Sequence, residues 1–301
     1  MSSSNTDTDT ITICAACGKE GNSDNMNTCN KCKSVKYCNA ACKKKHRKKH
    51  KKACERRVAE LHEEQLFKEI EPEECPICFL PMPITADGTT FESCCGKRIC
   101  NGCCYEMDMS GGKDLCAFCR TPRASNDEEH IKRAKKLMDK GNAEAHHLLS
   151  GAYSNGTMGI PQNWAKANEL HLKAGELGCA RGYFHLGNSY LAGRGVEVNK
   201  KKSKYYWELA AMNGHVKARH NLACIEERSG NDQRAFKHMI IAARAGHEGS
   251  LEGVKQGFMR GDVTKHVYED TLYAYQRSLD EMKSDERDRA AAFYGEINRS
   301  D

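Results

Sequence analysis

No apolar run in this 301-residue sequence approaches the roughly 20 residues that a membrane-spanning helix needs. The stretch Met1 to Thr12 is made mainly of Ser, Thr, Asn and Asp, without a basic region followed by an apolar one, so no signal peptide is expected there. Phosphate-binding loop, dinucleotide glycine pattern, G-x-S-x-G and H-E-x-x-H are all missing, which argues against an independent catalytic pocket. These absences predict an intracellular protein of the cytoplasm or nucleus, with no membrane partner. Thiols stay reduced in such compartments, and paired cysteines there serve as metal ligands more often than as disulfides.

Cysteine is what the chain has in abundance. It holds 18, of which 16 precede residue 120, mostly in C-x-x-C or C-x-x-x-C pairs. Thiolates at i and i+3 can share one tetrahedral ion, and two such pairs close a site. Segments of about 40 residues bury too little apolar surface to stand alone, so the front of the chain is expected to fold around metal.

The first series is Cys14-x-x-Cys17, Cys29-x-x-Cys32, Cys38-x-x-x-Cys42 and His50-x-x-x-Cys54, eight donors for two zinc ions. With Tyr37-Cys38-Asn39-Ala40-Ala41-Cys42 and the His46, His50, Cys54 sequel, it resembles the MYND zinc finger. The resemblance implies interleaved sites, Cys14, Cys17, Cys38 and Cys42 on one zinc and Cys29, Cys32, His50 and Cys54 on the other. It also implies docking of short proline-containing peptides. Arg47 stands where the family usually has an aromatic residue, and His46, one turn from both Cys42 and His50, is a competing imidazole. The run Lys43 to Arg57 holds ten Lys or Arg and raises a nucleic-acid reading. Aromatics for base stacking are absent from it and the whole chain carries only +6, so a solvated helix face is the preferred account and nucleic acid is not the expected partner.

A charged helical connector is expected next, with Val58, Leu61, Phe67 and Ile70 as a modest apolar stripe and Pro72 as its end. The second series runs Cys75-Pro76-Ile77-Cys78, Cys94-Cys95, Cys100-x-x-Cys103-Cys104 and Cys116-x-x-Cys119-Arg120, which resembles the cross-braced RING finger. The resemblance implies one zinc on Cys75, Cys78, Cys100 and Cys103, and a second on Cys116, Cys119 and the Cys94/Cys95 pair. Lys97 occupies the usual histidine position and is a poor zinc ligand. Both adjacent cysteines are therefore expected to bind, the alternative being one of them with Cys104 or water. RING fingers can recruit a ubiquitin-conjugating enzyme and act by orientation, with no nucleophile of their own. By the resemblance, Ile77 and Arg120 are the candidate contacts to that enzyme, and Ala117 departs from the usual proline.

Beyond about Asp127 the composition turns to alanine, glycine and aromatics with a period near 36 residues. Leu149 matches Leu186, Tyr153 matches Tyr190, Gly156 matches Gly193 and Ala174 matches Ala210, and a third unit drops about four residues. Each unit reads as two helices closed by Gly178, Gly214 or Gly246, and the fourth is eroded as a capping unit should be. Tyr153, Tyr190, Tyr205, Tyr206 and Trp207 are read as core, and Cys179 and Cys224 as small packing residues. Leu186-Gly187-Asn188-Ser189-Tyr190 and Gly193-Arg194-Gly195-Val196 resemble the Sel-one-like repeat, a relative of the tetratricopeptide repeat that binds peptides or proteins.

The expected fold class is multidomain, two small cross-braced zinc modules followed by an all-α helical-repeat solenoid. The expected boundaries are a tail at 1–12, a MYND-type finger at 13–55, a linker at 56–73, a RING-type finger at 74–121, a linker at 122–130, repeats at 131–283 and a tail at 284–301. About four zinc ions per chain are expected. The leading functional expectation is a RING-type ubiquitin-protein ligase or ligase-like adaptor, whose other modules bind target proteins. The alternatives are a non-enzymatic zinc-dependent scaffold and, more weakly, nucleic-acid binding through 43–57.

Overall fold

The computed structural model describes residues 12–300 apart from 23–24, 85–87 and 113, and the side chains of 296–300 are not described. The expected tail at 1–12 thus lies almost wholly outside the described residues. The chain divides into two compact units, 1–68 and 69–301.

Unit 1 is two short antiparallel hairpins, β1 (Thr12–Ile13) with β2 (Glu20–Gly21) and β3 (Asn27–Thr28) with β4 (Lys36–Tyr37), followed by the 27-residue α1 (Ala40–Leu66). Asn39 caps α1 by accepting a hydrogen bond from the Cys42 N–H at 2.8 Å. The buried cluster consists of Cys14, Met26, Cys29, Cys32, Tyr37 and Cys54, so thiols supply most of what is inside. On α1 only His50, Cys54 and Leu66 are buried, which leaves the basic stretch as a solvated face. The helix ends at Leu66, six residues before Pro72, and 67–73 is not helical. Helical backbone is disfavoured at Glu71, the residue before the proline, so a helix running as far as Pro72 is disfavoured, although nothing local explains the end at Leu66 itself.

Unit 2 starts with the second cysteine series. A hairpin of β5 (Thr89–Glu92) and β6 (Lys97–Cys100) leads into α2 (Asn101–Met109). Arg123 ties this module together, donating to Asp108 at 2.7 Å and to buried Glu92 at 3.2 Å. The repeat helices follow: α3 (Asp127–Asp139), α4 (Ala143–Asn155), α5 (Trp164–Glu176), α6 (Ala180–Ala192), α7 (Lys200–Met212), α8 (Val216–Arg228), α9 (Asp232–Arg244), α10 (Glu248–Arg260) and α11 (Lys265–Met282). They pair as α4 with α5, α6 with α7 and α8 with α9, and each pair packs on the next.

The periodicity has a visible chemistry. Asn163 and Asn199, 36 positions apart, both cap a second helix and both donate their backbone N–H to a tyrosine carbonyl of the preceding helix, Tyr153 or Tyr190, at 2.8 Å. Gly178, Gly214 and Gly246 all have φ between 84° and 99°, the left-handed turn that ends one repeat and admits the next. Trp207 is buried against Gly187 and donates from Nε1 to Asn188 Oδ1 at 3.0 Å. Tyr205, by contrast, is 53% exposed and is not core.

Where a tail was expected at 284–301, residues 285–300 are helical. Asp285–Ser300 form α12, which packs on α2 through Tyr105 and Phe293, whose rings lie 5.5 Å apart, and through an Arg289–Glu106 ion pair at 2.7 Å.

Candidate metal centres

Among the described residues, four clusters of donor atoms form. Cys14, Cys17, Cys38 and Cys42 meet in one, Cys29, Cys32, His50 and Cys54 in another, Cys75, Cys78, Cys100 and Cys103 in a third, and Cys94, Cys95, Cys116 and Cys119 in the fourth. Within each set the donors lie within 4.8 Å of one another, and every cysteine is a free thiol. In both fingers the two sets alternate along the chain, which is what cross-bracing means.

The separations fit a tetrahedral ion. At a Zn–S length of about 2.3 Å, two ligands of a regular tetrahedron lie about 3.8 Å apart, against about 2.05 Å for a disulfide. Sγ–Sγ distances are 3.7 Å for Cys17–Cys38, 3.9 Å for Cys29–Cys54, 3.9 Å for Cys75–Cys103, 3.8 Å for Cys78–Cys100 and 3.9 Å for Cys95–Cys116. Cys38–Cys42 at 3.5 Å and Cys94–Cys119 at 3.4 Å are somewhat shorter, and Cys32 Sγ lies 3.2 Å from His50 Nε2.

One backbone device builds four of the five C-x-x-C pairs, the fifth, Cys100 and Cys103, lying instead at the start of α2. The residue after the second cysteine, Gly18, Lys33, Phe79 or Arg120, donates its N–H to the carbonyl of the first at 2.9–3.0 Å. All four are left-handed, with φ of 75°, 53°, 57° and 60°. The first cysteine then donates its own N–H across the turn, to Lys19, Val35, Leu80 or Thr121, at 2.9 Å. The turn presents both thiols on one side and directs backbone N–H groups at sulfur, as Phe118 and Cys119 do to Cys116 Sγ at 3.4 and 3.5 Å.

Electrostatics show why four such donors need a cation. Burial raises Cys29, yet the N–H groups of Cys32 and Lys31 bring it down to about 6. Burial also raises Cys54, and contact with the Cys32 and Cys29 thiols then pushes it up to about 11. In the fourth cluster burial raises Cys95 to about 11, whereas hydrogen bonds from Thr121 outweigh burial at Cys119 and bring it to about 6. The first thiolate formed in each set opposes the next, and a bound dication removes the conflict.

The alternatives left open by the sequence divide as follows. His50 is the imidazole among the thiols, whereas His46 Nδ1 lies 3.3 Å from the Tyr37 hydroxyl. Both Cys94 and Cys95 enter the fourth cluster. Cys104 stays outside, buried, its thiol pushed up to about 12 by burial first and Glu92 second. Lys97 Nζ lies 5.8 Å from the centre of the Phe118 ring. Ile77 is half-buried against the cysteine cluster, and Arg120 is exposed with Nη1 2.6 Å from Met107 Sδ. Cys179 is buried and Cys224 half-buried, and neither joins a metal cluster among the described residues.

One participant gave no signal in the sequence. Arg287 of α12 donates to Pro81 O at 2.7 Å and Leu80 O at 3.4 Å, and its Nη2 lies 3.6 Å from Cys78 Sγ. A guanidinium beside the third cluster offsets part of the negative charge that four thiolates carry around a dication. No local pattern could have found it, because its partners beside the third cluster lie more than 200 positions away.

Among known families, the MYND finger model matches residues 14–54, and the Sel1 repeat model matches 143–179, 180–215 and 217–247. No curated protein matches the chain. Among solved structures, a Sel1 repeat protein from Oxalobacter formigenes is 17% identical, with 59% of this chain and 72% of that one covered and a TM-score of 0.45. A protective antigen of uropathogenic Escherichia coli with an SLR fold is 22% identical over 52% of this chain and 35% of its own, with a TM-score of 0.45. An immunity protein from Pseudomonas aeruginosa is 17% identical, with 60% and 66% covered and a TM-score of 0.37. Function is not carried over at such scores. No helix among the described residues is long and apolar enough to cross a membrane. The chain therefore joins a zinc-binding MYND finger at 14–54 to an array of Sel1 repeats at 143–247.

Proposed function

We infer that this chain is a zinc-dependent protein-interaction scaffold, in which four Cys and Cys/His clusters each hold one zinc ion and the fingers and repeat array bind other proteins. What carries the reading is the set of sulfur separations near 3.8 Å in two cross-braced fingers, joined to a repeat array of a kind that generally binds proteins. Selection of a displayed peptide library on the zinc-loaded full chain tests it. Peptides should enrich on the loaded chain, and those held by the fingers should be lost after chelation. No enrichment on the loaded chain would contradict the reading.

A second reading makes residues 74–121 a RING-type finger that engages a ubiquitin-conjugating enzyme. One observation favours it: the 75/78/100/103 and 94/95/116/119 sets alternate around a hairpin and a helix, with Ile77 and Arg120 on the outer knuckles. Catalysis would then be by orientation, with Arg120 as a surface contact rather than a reacting group. Autoubiquitination across a panel of conjugating enzymes, lost in Ile77→Ala and Arg120→Ala, supports this reading, and silence across the panel leaves the non-enzymatic scaffold. The domain limits above are likewise proposed, with 285–300 taken as α12, a part of the second finger's surroundings.

A further inference from the structure

The segment that enters unit 2, Glu69-Ile70-Glu71-Pro72-Glu73-Glu74, is acidic, carries one apolar residue between glutamates, and is non-helical over 69–73, helical backbone being disfavoured before the proline. It runs along a cleft of about 1110 Å³ whose array side is formed by the turns between repeats and by one face of α11. Glu69 pairs with Arg244 at 2.7 Å, Glu73 pairs with Arg98, and Ile70 sits against Gly214, where an added Cβ would meet its Cγ2 at 3.4 Å. Glu69 also lends its charge to Arg219, which is 3% exposed. The array side of the cleft adds Arg181, Lys217 and Arg277, with Glu144, Asp270 and Glu281 as its acids, so it is more basic than the segment lying in it.

The front of the segment fits this cleft loosely, whereas Glu73 accepts from the Met82 N–H at 2.7 Å and Glu74 pairs with Pro81. Ile70 remains 41% exposed and the Glu69 side chain 56%, and half-exposed ion pairs of this kind contribute little. The cations are also incompletely used: Nε of Arg244 and Nε of Arg98 are buried and make no hydrogen bond among the described residues. A weakly seated, chemically matched segment of the chain's own is what a displaceable internal competitor looks like. Its tethering gives it a high local concentration whatever its intrinsic affinity.

We propose that the inter-repeat cleft is a binding site for an extended acidic peptide of a partner protein, one with an apolar residue between glutamates, and that residues 69–72 occupy it in cis until such a peptide displaces them, while Glu73 and Glu74 stay paired with Met82 and Pro81. The proposal rests on the reading of the array as a protein-binding surface and names the chemistry of its ligand.

The probe is a fluorescent hexapeptide with the sequence of residues 69–74, titrated by anisotropy against the zinc-loaded full chain. Binding to wild type should be weak, and it should tighten at least about tenfold in the Glu69→Ala/Ile70→Ala chain, where the internal segment no longer competes. Adding Arg244→Ala to that chain should remove most of the gain, and a probe with glutamine for every glutamate should not bind. Zinc content and thermal unfolding check that each variant is folded, and a Glu69→Lys chain provides a second route to an open cleft. Equal affinity in wild type and both opened chains, no binding to any of them, or equal binding of the glutamine probe would each overturn the proposal. Library enrichment of peptides with different chemistry on the same chains would leave the scaffold reading standing while this one fell.

Discussion

Replacing Arg287 with alanine isolates the contact that joins the two ends of unit 2. The guanidinium gives a charge-assisted hydrogen bond to Pro81 O at 2.7 Å and a weaker one to Leu80 O at 3.4 Å, beside the Cys78 thiol. Its third bond, to Met282 O at 2.7 Å, reaches the last residue of α11 and fixes the start of α12 on the array rather than on the cysteine module. A hydrogen bond to a charged group is worth about 1.5–3 kcal/mol net, and the site is only half-buried, so docking of α12 should weaken by about 2 kcal/mol. That is roughly a 30-fold loss of protection for amides of α12 that open without global unfolding. Hydrogen exchange read by mass spectrometry on peptides spanning 285–295 measures it, with Arg289→Ala as the comparator. The Arg289–Glu106 pair is exposed on both sides, so that variant should stay within about twofold of wild type. Equal effects of the two variants, or no effect of Arg287→Ala, would refute the assignment of Arg287 as the clamp.

Other outcomes follow from the same structure. His171 is 2% exposed, with Nδ1 2.8 Å from Ser150 Oγ, and burial holds its pKa down at about 3. Its folded value lies below the unfolded value of about 6.5, so its contribution is intact above pH 6.5 and falls by about 1.4 kcal/mol per unit as pH drops toward 3. Between pH 7 and pH 5, His171→Asn should therefore lose about 2 kcal/mol less than wild type in urea titrations, and parallel losses would contradict the account. A Cβ at Gly182 would lie 2.4 Å from His171 O and 2.7 Å from Gly175 N, both backbone atoms, so Gly182→Ala should cost at least about 2 kcal/mol by the same titration. At Gly253 the added Cβ meets only the end of Met239, and alanine there should be far milder. Lys33 holds φ at 53° in its knuckle, so Lys33→Gly should tighten zinc at the second cluster about fivefold in competition with a chelator. No tightening would mean that the turn is not strained.

The parts of this fold that were legible in the sequence are those whose chemistry is local. A thiol pair at C-x-x-C spacing is a single turn, and Asn163 and Asn199 repeat because each caps a helix by accepting from the N–H three residues on, that of Lys166 or Lys202. Choosing His50 over His46 required knowing which face of α1 meets Cys32; each imidazole stands four positions from a cysteine, and only the resemblance to the MYND finger pointed to His50. The end of α1 was misplaced because an apolar stripe through Phe67 and Ile70 suggested a helix, although the chain is already non-helical there and its Glu69 is paired with Arg244. Tyr205 shared the spacing of core aromatics and turned outward, since Trp207 already fills the space beside Gly187. α12 was invisible as a partner of the second finger because Arg287 and Pro81 have no shared pattern, only shared space.

Metal content of the purified full chain is the most direct test of the central claim that interleaved thiolate clusters fold around zinc. Elemental analysis should give four zinc ions per chain. Values should fall by one in Cys32→Ala/His50→Ala and by one in Cys94→Ala/Cys95→Ala, each with the other clusters still loaded. Two ions per chain, with the Cys94/Cys95 variant unchanged, would contradict the account of the second finger, and a chain that is fully ordered with no metal would contradict it altogether.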